Sequence, residues 1–70
     1  MTTQQEVDSL IAQVSDALSS RAAAIRMVRH VISAGIADDV ADGFEPNAAQ
    51  VARYRLIRAM ERDNDQAGVS

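Results

Sequence analysis

Four carboxylates fall between residues 38 and 45, namely Asp38, Asp39, Asp42 and Glu45, with Gly43 among them. Oxygen donors at that density are the raw material of a calcium loop. Such a loop needs donors at alternate positions leading to its glycine, and a glutamate at the twelfth. With Gly43 as the sixth residue, Asp38 is first and Asp42 fifth, but Val40 takes the third place and Ala49 the twelfth. The spacing fails for calcium. It reads instead as a solvated acidic connector whose carboxylates cap a helical turn or answer nearby arginines.

His30 is the only histidine, the chain has no cysteine, and no Asp or Glu lies within one helical turn of it. Neither a metal-ligand set nor a nucleophile–base pair is visible. The serines likewise have no general base placed by spacing. A catalytic site must combine an acid or base with a group that orients it. The reading is therefore not an enzyme, with no catalytic residues, no metal and no cofactor.

The cations are seven arginines and no lysine, a bias read as coding preference. At 100° per residue Arg26, Arg29 and His30 fall on an outer face of the first half. Arg55, Arg58 and Arg62 form a stripe on the second half. Such stripes suit phosphates, yet the chain carries a net charge of −3 and a pI near 4.8. Nucleic-acid-binding domains usually have a basic balance, and only Tyr54 is placed to stack on a base. A helix-turn-helix reading fails as well. Its short turn would be an eleven-residue acidic connection, and its recognition helix would open Asn47-Ala48-Ala49-Gln50. The arginines are expected to pair with acids of the same or a second copy.

Val51 and Tyr54 lie beside Arg55 and Arg58 and point away from a stripe of Ala52, Leu56 and Met60. Exposed Tyr and Arg next to aliphatics is the composition enriched at protein-binding hot spots. The acidic residues Asp38, Asp39 and Asp42 offer a second candidate surface, because an acidic loop can imitate nucleic acid toward a basic partner.

These residues need elements to hold them, and the chain is short. Seventy residues allow one domain with a modest core and no disulfide to reinforce it. Thr3-Gln4-Gln5-Glu6 has the form of a capping box. Val7, Leu10, Ile11, Val14, Ala17 and Leu18 then keep to one helical face. The stripe continues in phase through Ser19-Ser20 into Ala22, Ile25, Val28 and Ile32. That continuity favours one long or kinked first arm over 3–34, about 45 Å if unbroken, although Ser is also a good N-cap.

Gly35 suits a helix stop. Residues 36–46 then form the connector, with Ile36 and Val40 in an inward-packing turn and Phe44 plugging the open end of the core. Pro46 bars the residue before it from helical geometry. The second arm restarts at Asn47 and spans 47–63, with Ala49, Ala52, Leu56, Ala59 and Met60 on its core face. Residues 64–70 are expected to fray.

The expected fold is all-α, a small helical hairpin or three-helix bundle completed by dimerisation. A long first arm cannot bury its stripe on a short second one, so a two-fold homodimer follows. No apolar run approaches the about 20 residues that span a membrane, and no secretory signal pattern opens the chain. That sets a cytoplasmic expectation with no membrane contact. By size and elimination, the function expected is a small bacterial or phage regulatory protein of the inhibitor, antitoxin or antiactivator type. It would act by protein–protein contact. The alternative is a nucleic-acid-binding regulator using the arginine stripes of a dimer.

Overall fold

The computed structural model describes the backbone of residues 2–69 and the side chains of residues 2–66. Within them the chain forms three helices, α1 (Thr3–Leu18), α2 (Arg21–Ala41) and α3 (Ala48–Val69). Each packs on the other two in an up-down-up arrangement, 41 × 23 × 21 Å in extent.

The helix starts differ from expectation by one residue at α1. Thr2 is the cap: its hydroxyl accepts from the Gln5 N–H, and the Gln5 side chain accepts from the Thr2 N–H. Two adjacent threonines each have a suitable third residue after them, so the sequence alone leaves the register open. With Thr2 as cap, Glu6 lies in the first turn, where the helix dipole favours a carboxylate.

The first arm is broken, not continuous. Ser19 takes the left-handed conformation at φ 54°, and Ser20 is extended, with its Oγ accepting from the Ala23 N–H at 3.2 Å. The unbroken apolar phase misleads here for a simple reason. A two-residue link folds α2 back against α1, so both halves of the stripe end up facing the same core. The long lopsided arm that demanded a dimer does not exist, and that argument for dimerisation falls with it.

Gly35 does not end a helix; α2 runs through it for six more residues to Ala41. A Cβ at residue 35 would stand 2.9 Å from the Gln50 Nε2, so what passes close to the glycine is the end of one α3 side chain. The stop belongs to Gly43, at φ 82°. Its N–H donates to the Val40 carbonyl and the Phe44 N–H to the Asp39 carbonyl, the paired bonds of a Schellman ending. The connector shrinks accordingly to residues 42–47. Ile36 packs on the core as expected, but Val40 is 59% exposed. Phe44 plugs nothing, being 68% exposed.

Asn47 caps α3, accepting from the N–H groups of Ala49 and Gln50. The return bond of the box comes from another helix: the Asn47 N–H donates to the Asp39 carboxylate at 3.3 Å. Helix α3 also outlasts its expected end at residue 63, reaching Val69. Asn64 is half-buried in a groove with Ile25 and Met60, a tertiary anchor that a local reading of 64–70 omits.

The core consists of Val7 and Ile11 from α1, Ala24, Ile25, Val28 and Ile32 from α2, and Ile57 from α3. Val14, Ile36, Tyr54, Leu56 and Met60 pack around it. The inner face of α3 is thus centred on Ile57, which has no exposed surface. Ala49, Ala52 and Ala59, expected inside, are exposed. A large β-branched side chain buries far more apolar area than alanine, so it decides which way the helix turns.

Candidate interaction surface

The rotation set by Ile57 re-sorts the α3 residues proposed for partner binding. Tyr54 turns inward and packs on the core, half-buried, instead of projecting as an anchor. Val51 is half-buried, whereas Arg55, Arg58 and Arg62 face outward. Four side chains expected together as one surface therefore divide between packing and solvent.

The arginines also divide. Arg29, expected on an outer face, faces α3, and its Nε donates to the Glu61 Oε2 at 2.8 Å. Arg58 donates to the other oxygen, Oε1, at 2.9 Å. Glu61 therefore joins two cations on two helices, and its own side chain is only 17% exposed. Arg53 donates through Nε and Nη2 to Glu6. Among the described residues Arg26, Arg55 and Arg62 take part in no ion pair. The phosphate-facing stripes are thus interrupted by internal pairing at Arg29 and Arg58.

The acidic segment is more coherent. It lies at one pole of the bundle, where the end of α2, the connector and the start of α3 meet. Asp38, Asp42 and Glu45 are exposed there. Asp39 is set apart, half-buried and committed to the Asn47 N–H. Between these carboxylates stand Phe44 and Val40, two of the most exposed large apolar side chains of the chain. The Schellman bonds and Pro46 fix the backbone on both sides of Phe44, so the ring is held on an ordered turn.

Phe44 is a surface residue, although its apolar ring alone suggests a place in the core. The available signal was its setting, Gly43 before and Glu45-Pro46 after, which is turn chemistry. An open groove of about 380 Å³ lies between the three helices, with Leu10, Val31 and Ile32 on its apolar side and the Glu6–Arg53 pair on its polar side. Among the described residues no three His, Asp or Glu side chains cluster closely enough to hold a metal ion. No helix among them is long and apolar enough to cross a membrane. No protein-family model matches this chain, and comparison with curated proteins and with solved structures returns no match.

Proposed function

We propose that this chain is a small non-enzymatic regulatory protein, of the bacterial or phage inhibitor, antitoxin or antiactivator type, that docks on a protein partner. The observation that carries the reading is Phe44, 68% exposed on a fixed turn with Asp42 and Glu45 beside it. An aromatic held in water by a rigid backbone loses little entropy on binding and gains its full apolar burial. Carboxylates around it steer the approach toward a basic partner and reject acidic ones. The partner surface implied is an apolar pocket with a basic rim.

The nucleic-acid alternative is the weaker of the two, because Arg29, Arg53 and Arg58 are already engaged with carboxylates. Phosphate recognition by the remaining cations would also work against the net charge of −3.

The test is affinity capture from the native host with three baits: wild type, Phe44→Ser and the pair Arg55→Ala/Arg58→Ala. A specific protein held by the wild type and by the arginine variant, but lost with Phe44→Ser, supports the docking surface. Capture that is indifferent to Phe44 and abolished by the arginine variant, or by nuclease, overturns it. Binding to nucleic acid would further reveal itself by a steep fall with rising salt.

A further inference from the structure

Five of the seven arginines stand in one block on α2 and α3. Glu61 fixes its centre by joining Arg29 to Arg58. The two helices run antiparallel, so the turn from Arg29 to Arg26 and the turn from Arg58 to Arg62 lead the same way, away from the acidic pole. Arg55 extends the block one turn toward that pole. Arg26, Arg55 and Arg62 are exposed and join no ion pair among the described residues. Glu61 lies low, with its side chain 17% exposed, and serves two cations at once. The other carboxylate of this face is Asp65, exposed at the far end. Asp63 lies round the helix, with Arg21 and Met60.

Five arginines against two carboxylates leave the block with three uncancelled positive charges, on a chain whose net charge is −3. Arg26 and Arg29, Arg55 and Arg58, and Arg58 and Arg62 stand three or four residues apart, spacings at which like charges repel. An anionic occupant relieves that repulsion. A long polyanion fits poorly, because the other eight of the chain's ten carboxylates lie outside the block and oppose its continuation. Tyr54 is turned to the core, so the block offers no projecting aromatic on which bases could stack. A short acidic element with an aromatic at its tip fits better, and the chain carries one in Asp42-Gly43-Phe44-Glu45. Ala59, exposed among Arg55, Arg58 and Arg62, leaves bare helix surface on which a ring can lie. Guanidinium planes also stack on aromatic rings. The chain's own turn cannot reach, since Arg26 lies about 20 Å along α2 from Ala41. The turn that meets the block belongs to another copy.

We infer that the acidic Phe44 turn of one copy docks on the arginine block of a second, head to tail, through charge complementarity. The contact is heterologous: it joins two different surfaces and needs no two-fold axis. Each pair keeps one free turn and one free block, so further copies can add. The inference rests on the reading of the Phe44 turn as a docking element and gives that turn a partner of known sequence.

Sedimentation of the full chain tests this. The wild-type mass should climb with concentration at low salt from the 7.5 kDa of one chain, and fall back as salt is raised. Two neutral variants dissect the contact: Arg26→Gln/Arg62→Gln weakens the block, and Asp42→Asn/Glu45→Gln weakens the turn. All four residues are exposed and outside the ion pairs, so helical circular dichroism should be unchanged. Each variant alone should associate about tenfold more weakly, or less still. Mixed in equal amounts, the first still supplies a turn and the second a block, so a pair of about 15 kDa, twice the 7.5 kDa of one chain, should form and grow no further. A wild type that stays monomeric at its highest soluble concentration overturns the inference. So does association indifferent to either variant, or a mixture no more associated than its parts. If such a monomer bound a short oligothymidylate through the block, the block would belong to nucleic acid instead. If it captured a host protein through Phe44, the docking reading would stand while this inference fell.

Discussion

Arg53 of α3 grips Glu6 of α1 with two nitrogens on one carboxylate oxygen, Nε at 3.1 Å and Nη2 at 2.9 Å. The pair joins the first helix to the third, 47 residues apart in sequence. Both side chains are about one-third exposed, so water and salt screen much of the attraction. A double-mutant cycle with Glu6→Gln and Arg53→Met, read by urea unfolding, should give a coupling of about 0.5–1 kcal/mol. That coupling should shrink as salt is raised.

Gly35→Ala should stabilise the protein. The glycine lies inside α2, where alanine is favoured by about 0.8–1 kcal/mol. The new methyl meets only the far end of the Gln50 side chain, which can swing away. A net gain of about 0.5 kcal/mol, seen as a higher urea midpoint, is expected. A lower midpoint would show that Gln50 is held in place more firmly than its end-on contact implies.

Ile57→Ala should be the most damaging α3 substitution. The side chain is fully buried among residues of all three helices, and truncation at such a site costs about 2–5 kcal/mol. For a domain this small, that approaches the whole stability. Circular dichroism melting should show the loss, whereas Ala52→Ser and Ala59→Ser, at exposed positions, should change the midpoint little.

Phe44→Ser should behave in the opposite way. With its ring 68% exposed, removal should alter stability by no more than about 0.5 kcal/mol. If melting instead fell by several degrees, Phe44 would be holding the fold, and the docking reading would lose its anchor.

How far the sequence revealed these features differs from residue to residue. Asn47 as a cap and Pro46 as a boundary are legible because their chemistry is local. Val7, Ile11, Ile25, Val28 and Ile32 are legible as core because large aliphatics keep a strict helical period. The break at Ser19-Ser20 was hidden, since two helices folded onto one core can keep the same phase across their link. Gly35 and Gly43 look alike in sequence. Only the approach of Gln50 and the bonds around Phe44 separate a packing glycine from a terminating one. On α3, alanines make several faces look apolar, and it is side-chain size, not the number of apolar residues, that selects the inner one. Ile57 takes that face and brings Tyr54 onto the core with it.

The up-down-up course of the helices has a practical consequence for anyone attaching the protein to a surface or a reporter. Helix α1 begins beside the acidic pole, where Glu6 meets Arg53, whereas α3 leaves that pole and travels its 22 residues, about 33 Å, to the opposite one. A label joined ahead of Thr2 would sit toward the end of the bundle that carries Phe44, and one joined after α3 toward the other end, so the orientation of the handle decides which face an assay can see.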